Sequence, residues 1–384
     1  MAKRVVVSVI SDLVTDQRVH KVCQTLQQSG YEVHLIGSKK KGSLSLDKRI
    51  YTTSRINIFF QRGFLFYAEF NARLFFKLLF QKADIFLGND LDVMPGTWPA
   101  ATLKRKPVVY DTHEYYTAMS GLEKKPMVRK FWKSVETFMF SKINHIYTIC
   151  DSFCNLYQRD YHKQLTTVRN VPYLNGLDVP ANQEVLNRID AQIPKNKFIL
   201  LFQGAGINPH RGAEELVLAM QYLDPAIFHL LIVGGGDVFP KVVASIDSLG
   251  LRDRITTIPK QPFALLKHIT KQADLGLSLD KADNINHRYG LPNKIFDYLH
   301  AGVPVLVSRL VELEKIVNTY EVGDFIENHD PAHIASCIQK IAADKGRLNS
   351  WKVNTEKVRQ ELNWEKEGKI VLSIFKQVES ETVK

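Results

Sequence analysis

Arg288-Tyr289-Gly290-Leu291-Pro292-Asn293-Lys294-Ile295-Phe296-Asp297-Tyr298-Leu299-His300-Ala301-Gly302-Val303-Pro304-Val305-Leu306-Val307-Ser308 reads as a glycine–proline loop, a helix, a tight Ala-Gly turn and a buried strand. A loop that feeds a helix start points unpaired backbone N–H groups, with positive dipole character, at whatever lies there. Lys294 falls in the first turn, where a cation is unfavourable unless an anion compensates it. Asp297 follows three residues later, close enough to share that mouth. The pattern suits a phosphate held by the helix end and Lys294, with a carboxylate placed to accept hydroxyl hydrogen bonds. It asks for a nucleotide.

Outward from this stretch, both halves of the chain alternate strand and helix. Arg4–Ile10 and Glu32–Gly37 are strand-like runs around a helical period over Gln17–Gly30, and Ile85–Leu87, Val108–Tyr110 and Ile146–Ile149 continue the series. The second half repeats the scheme with strands at Phe198–Phe202, Leu230–Val233, Ile255–Ile258, Leu275–Leu279 and Val303–Val307. Such alternation gives parallel sheets covered by helices on both faces. At 384 residues the chain is long for one core. The expectation is an α/β protein of two doubly wound domains facing across a cleft, residues 1–178 and 182–360, joined near Asn175–Pro180. A C-terminal helix at about 364–379 is expected to pack back on the first domain. Ligands of parallel sheets bind at strand C-terminal ends, so function is sought in the loops there.

Composition narrows the class. With 45% apolar and 24% charged residues the chain is an ordinary globular protein. No apolar run approaches the length of a spanning helix, and the polar, basic start does not read as a secretory leader. Cys23, Cys150, Cys154 and Cys337 form no zinc pattern, so reduced thiols in a cytoplasmic protein and no metal are expected. Residues 1–178 hold 26 Lys+Arg against 15 Asp+Glu, whereas residues 179–384 hold 25 of each. The whole excess of +11 therefore belongs to the first half, which suggests an anionic surface or ligand there.

Several strand-end segments are candidate sites. Gly204-Ala205-Gly206-Ile207-Asn208-Pro209-His210-Arg211-Gly212 follows a buried strand and precedes the helical period Glu214–Tyr222. It could wrap a phosphate that Arg211 neutralises bidentately, or serve as a plain connection. Its glycine spacing is not a dinucleotide fingerprint. Gly234-Gly235-Gly236-Asp237 admits a close ligand or simply turns the chain. Asp111-Thr112-His113-Glu114 follows Val108–Tyr110; His113 could bind a substrate hydroxyl, or Asp111 and Thr112 could cap a helix. Asp90 and the segment Asp12–Arg18 occupy equivalent strand ends.

Phe59, Phe60, Phe64, Phe66, Tyr67, Phe70, Phe75, Phe76 and Phe80 crowd one helical stretch, with Arg62, Glu69, Arg73 and Lys77 at helical spacings. That stretch is either a core helix or an interfacial one, with Lys39–Lys41, Lys104–Lys106 and Lys124–Lys133 as contacts for an anionic membrane. No nucleic-acid-binding module appears.

Taken in order, these segments resemble the family 4 retaining glycosyltransferases of the GT-B fold, in their bacterial polysaccharide type. The resemblance rests on Thr15-Asp16-Gln17-Arg18-Val19 with Gly30-Tyr31-Glu32-Val33, Asp111-Thr112-His113-Glu114-Tyr115, Asn170-Val171-Pro172, Gln203-Gly204 with His210-Arg211-Gly212, and Leu291-Pro292-Asn293-Lys294 through Asp297-Tyr298 to Val305. It implies two Rossmann-like domains and a UDP- or GDP-linked sugar bound by the C-terminal domain without a required metal or cofactor. It also implies a glycan or lipid-linked acceptor at the N-terminal domain. The basic charge of the first domain, beside such an acceptor, leads us to expect peripheral contact with an anionic membrane at its cytoplasmic face, and with no nucleic-acid-binding module no nucleic-acid partner is expected. Arg211 and Lys294 would hold the diphosphate, with Gly204, Gly206, Pro292 and Asn293 around it and Asp297 on the ribose. His113 would face the donor sugar, while Asp16, Arg18, Asp90 and Glu114 would line the acceptor side. The family's Gly-Arg before its phosphate lysine reads Ala205-Gly206 here, and that lysine is Arg211. Of the family's two spaced glutamates, Asp297 stands at the second and Tyr289 at the first. A 2-epimerase on the same fold and a non-catalytic nucleotide-sugar or lipid-binding protein are the alternative readings.

Overall fold

The computed structural model describes residues 2–14, 16–43, 45–123, 125–174 and 182–382, so the expected linker at Asn175–Pro180 lies outside the described residues. The chain forms two compact units. One comprises Met1–Asn170, Asn284–Asn286 and Trp364–Lys384, and the other Val171–Asp283 and His287–Asn363.

The first unit is built on β1 (Arg4–Ser8), β2 (Glu32–Lys39), β3 (Thr52–Asn57), β4 (Ile85–Asn89), β5 (Val108–Thr112), β6 (His145–Thr148) and β7 (Thr166–Thr167). These pair in parallel in the order β3-β2-β1-β4-β5-β6-β7. The chain thus steps outward from β1 to β3, crosses back to β4, and steps outward the other way. The adjacent pair β1 and β4 is the switch point where such sheets open a crevice. Right-handed crossovers put the helices Gly63–Phe80, Met94–Leu103 and Pro126–Lys142 together on one face. Tyr67–Trp132 and Trp98–Phe138 ring contacts knit them. The helix Gln17–Gln28 packs with the C-terminal helix Trp364–Thr382, where Trp364 Nε1 donates to Thr25 Oγ1 at 2.9 Å.

The second unit holds β8 (Phe198–Gly204), β9 (Phe228–Gly234), β10 (Ile255–Pro259), β11 (Leu275–Ser278), β12 (Val305–Ser308) and β13 (Gly323–Ile326), all parallel in the order β10-β9-β8-β11-β12-β13. Its switch point lies between β8 and β11, over a core that includes Leu200, Phe202, Leu230, Ile232, Leu275 and Leu277.

The strands read from apolar runs are present with shifted ends. β1 stops at Ser8, two residues before the expected Ile10, and β12 starts at Val305, since Pro304 has no N–H to donate to a ladder. β3, β7 and β13 had no signal in the sequence. β3 is Thr-Thr-Ser-Arg-Ile-Asn, a polar edge strand buried fully only at Ile56, and the other two are two and four residues long. No helix among the described residues is long and apolar enough to cross a membrane.

Candidate functional site

In the second unit the glycine loop after β8 is clamped from two sides. Ile207 N donates to Gly235 O at 2.6 Å and Val238 N to Ile207 O at 3.1 Å, so the triple glycine after β9 is a bed for this loop. Gly236 has φ +143°, and a Cβ there would stand 2.4 Å from Ile207 N. On its far side, Lys281 N donates to His210 O at 2.9 Å. Gly212 has φ +80°, and a Cβ there would meet Leu279 O at 2.4 Å, so only glycine lets the loop lie this close to the end of β11.

That approach delivers Arg211 to Asp280. Arg211 Nη1 donates to Asp280 Oδ1 at 2.8 Å, Lys294 Nζ lies 3.4 Å from Asp280 Oδ2, and Ser278 Oγ donates to the same oxygen at 3.0 Å. Lys294 also sits 4.6 Å above the Phe202 ring. Asp280 is the anion that the first-turn lysine required. Burial works to raise its carboxyl, but Lys294 and Arg211 outweigh it and hold it below its ordinary value. Lys294 is pulled below the usual lysine range by burial, and Asp280 opposes that. The helix Asn293–His300 starts beside this cluster with Pro292 at its cap position and no side chain closing its N–H groups. Asp297 Oδ2 accepts from Gln203 Nε2 at 3.2 Å, and Gln203 is fixed through Thr270. Two cations against one carboxylate, next to an uncapped helix start, form a site with a surplus positive charge.

In the first unit the cluster is balanced. Arg18 lies on the helix that Asp16 caps, where Asp16 Oδ1 accepts from Val19 N at 3.1 Å. Its guanidinium donates to Asp111 at the end of β5 through Nε at 2.9 Å and Nη2 at 2.7 Å, and to Val168 O at 2.8 Å. Arg18 is therefore an internal strut, not a group presented to a ligand. Asp111 and Thr112 cap no helix. His113 Nε2 stands 3.2 Å from Asp111 Oδ2 without hydrogen-bond alignment, and its Nδ1 is 3.2 Å from Asp90 Oδ2. Asp90 Oδ1 also accepts from His113 N at 2.8 Å. Burial lowers the imidazole's affinity for protons, but Asp90 and Asp111 outweigh it and raise His113 well above its ordinary value. Asp90 holds φ 63° and ψ 164°, a region almost confined to glycine, and such strain concentrates at functional sites. Beneath it, burial and the neighbouring Asp90 push the Asp92 carboxyl well above the usual range. Glu114 is exposed, and its carbonyl accepts from Thr112 Oγ1 and Tyr157 Oη at 2.8 and 3.0 Å.

The structure thus joins Arg211 and Lys294 in one cluster, with Gly204 and Gly206 in the adjoining loop, and joins Arg18, Asp90 and His113 in another. Asp280, the residue both phosphate-type cations share, was missed in the sequence. The signal was there: an aspartate directly after the run Leu275–Leu279, the same cue that singled out Asp111.

Sequence families match both units. Residues 16–172 fit the model described as Glycosyltransferase Family 4, and residues 186–358 the model described as Glycosyl transferases group 1. The chain belongs to the family 4, group 1 glycosyltransferases. A D-inositol 3-phosphate glycosyltransferase of Xylanimonas cellulosilytica is 23% identical over 189 residues, 48% of this chain and 43% of that one. The chain thus matches less than half the length of that relative. Among solved structures, sucrose-phosphate synthase from Thermosynechococcus elongatus has a TM-score of 0.78 at 16% identity, covering 98% of this chain and 99% of its own. HepE of Anabaena in complex with UDP-glucose has a TM-score of 0.74 at 11% identity, covering 98% and 100%. These likenesses show the fold of the chain as GT-B, with two Rossmann-like domains.

Proposed function

We propose that the protein transfers a sugar from a nucleoside diphosphate sugar to an acceptor hydroxyl with retention of configuration, in the building of a cell-surface polysaccharide. The observation that carries this reading is the pair Arg211 and Lys294 converging on one buried carboxylate beside an uncapped helix start. When the glycosidic bond breaks, negative charge grows on the departing β-phosphate. Two fixed cations and a helix dipole stabilise that charge more than they stabilise the intact donor, which is what lowers a barrier. Gly204, Gly206, Pro292 and Asn293 would let the phosphates lie against backbone, and Asp297 would accept from the ribose hydroxyls. HepE, named in complex with UDP-glucose, supports a uridine diphosphate donor.

In the first unit, His113 would donate from Nε2 to a hydroxyl of the transferred sugar, with Asp90 fixing the ring through Nδ1 and Asp111 helping to hold its charge. Asp16 and Glu114 would serve the acceptor side. Arg18 would act only through Asp111. No side chain is assigned as nucleophile, so the acceptor attacks on the face the diphosphate leaves, and the leaving phosphate takes its proton. The acceptor is read as a glycan on a lipid carrier, which places the enzyme at the cytoplasmic face of the membrane. The test measures nucleoside diphosphate release from UDP- and GDP-sugars with and without saccharide acceptors, followed by the anomeric coupling of the product. Near-normal turnover in both Arg211→Ala and Lys294→Ala, or product of inverted configuration, would sink the proposal.

A further inference from the structure

We infer that the helices Gly63–Phe80 and Pro126–Lys142 form a docking surface for an anionic lipid bilayer. The aromatic helix divides its apolar residues between two duties. Phe66, Phe70, Leu74 and Leu78 are buried against the unit. Phe64, Ala68, Ala72, Phe76 and Phe80, each four residues after the last, are exposed, the three phenylalanines at 72%, 60% and 88%. Each neighbours the next on the helix surface, and because every four-residue step turns about 40° past a full turn they make one oblique apolar band across the outward side, about 24 Å from Phe64 to Phe80. A soluble surface rarely carries a continuous stripe of this kind.

The aromatics before the helix are held out, not left loose. Phe59 N donates to Glu69 Oε2 at 3.0 Å and Phe60 N to the same oxygen at 2.9 Å, while Arg73 grips that carboxylate at 2.9 Å. On the neighbouring helix Met127, Val128 and Phe131 are exposed, Met127 at 85%. Both apolar beginnings follow the C-terminal ends of parallel strands, β3 and β5, so they stand at the end of the sheet that carries Asp90, Asp111 and His113.

Charge selects the occupant. The acids of these two helices are Glu69 and Glu136. Glu69 is spent on the Phe59–Phe60 loop and Arg73, and Glu136 is fully buried, accepting from Thr117 Oγ1 at 3.1 Å. What remains outward beside the apolar band, once Arg73 is set against Glu69, is cationic: Arg62 just before one helix, Lys125 just before the other, and Arg129 and Lys130 in its first turns. Phenylalanine in the acyl boundary with lysine and arginine at the headgroups is the physics of an interfacial helix. A second copy of the chain docking face to face would set like charges against each other, which disfavours a self-associating surface. The inference deepens the reading of a lipid-carried acceptor and rests on it only for what the docked enzyme does there.

The experiment is sedimentation of the full chain with vesicles of phosphatidylcholine alone or with one third phosphatidylglycerol. Wild type should bind the anionic vesicles at low salt, bind the neutral ones at least tenfold more weakly, and release as salt rises. Phe64→Ser/Phe76→Ser/Phe80→Ser and Lys125→Glu/Lys130→Glu should each weaken binding tenfold or more with the melting temperature kept within a few degrees. Because these positions are exposed, both variants should still bind nucleoside diphosphate as wild type does. Absence of wild-type binding at low salt, or full binding by the phenylalanine variant, overturns the docking surface. So does a wild-type dimer in sedimentation velocity that the same variants dissolve. Vesicle binding without any nucleoside diphosphate binding would leave the docking surface standing and remove the proposed function instead.

Discussion

Asp111 and Asp280 stand in the same physical situation and do different things with it. Each is a buried carboxylate at the C-terminal end of a parallel strand, gripped by two groups that carry positive charge, Arg18 and His113 for one, Arg211 and Lys294 for the other. In the first unit Asp90 adds a second carboxylate and Arg18 is 4% exposed, so charge is matched inside the fold. In the second unit one carboxylate faces two cations, and Arg211 remains 32% exposed and Lys294 12%. A matched cluster fixes a hydrogen-bonding ring in place. An unmatched one attracts a multiply charged anion.

The largest effect should come from removing the surplus. Arg211→Ala and Lys294→Ala are each expected to lower kcat by about 10²–10³-fold, the scale for losing one preorganised donor at a developing oxyanion. Single-turnover kinetics at saturating donor check this, and a loss below tenfold would break the contrast between the clusters.

Next is a pair of substitutions that sets the two carboxylates side by side. Asp111→Asn leaves the buried Arg18 without its counterion and should cost about 3–5 kcal/mol of stability. Asp280→Asn strips partly hydrated cations and should cost less. Added nucleoside diphosphate should recover much of the Asp280→Asn loss, because the ligand supplies the missing anion, and recover none of the Asp111→Asn loss. Urea unfolding with and without ligand reads both, and equal rescue in the two would make the clusters equivalent.

His113→Ala should lower kcat by about 10–100-fold, the scale of one charge-assisted hydrogen bond, with nucleoside diphosphate affinity unchanged. A large loss of diphosphate affinity would move His113 into the anion site.

The smallest effect is on pH dependence. Burial opposes the His113 charge, yet Asp90 and Asp111 raise its folded value above the unfolded reference of about 6.5. The stabilisation from the charged ring is therefore complete below that reference and lost as pH rises through the raised folded value. Activity should be flat through neutral pH and fall on the alkaline side. Asp90→Asn should bring that fall to lower pH, with Asp92 and Asp111 still beside the ring. A pH–rate profile unmoved by Asp90→Asn contradicts the assignment.

The sequence made the parallel sheets legible because buried strands are continuous apolar runs, and it marked Lys294 because a first-turn cation demands an anion. It could not name that anion. Asp280 lies fourteen residues away from Lys294 in sequence, and only Gly212 lying against Leu279 brings Arg211 to it. Arg18 and Asp111 are separated further still, and nothing local distinguishes a buried strut from a ligand-binding arginine. The aromatic stretch was ambiguous for a related reason. One helix supplies both a core face and an exposed stripe, and a count of phenylalanines does not separate the two.

The most direct test of the central claim is a calorimetric titration of UDP and GDP, with EDTA present, into wild type, Arg211→Ala, Lys294→Ala and His113→Ala. The unmatched cluster predicts one diphosphate bound by wild type, at least tenfold weaker binding in the Arg211 and Lys294 variants, and unchanged binding in His113→Ala. Equal affinity in all four proteins, or no binding of either diphosphate to wild type, would contradict it.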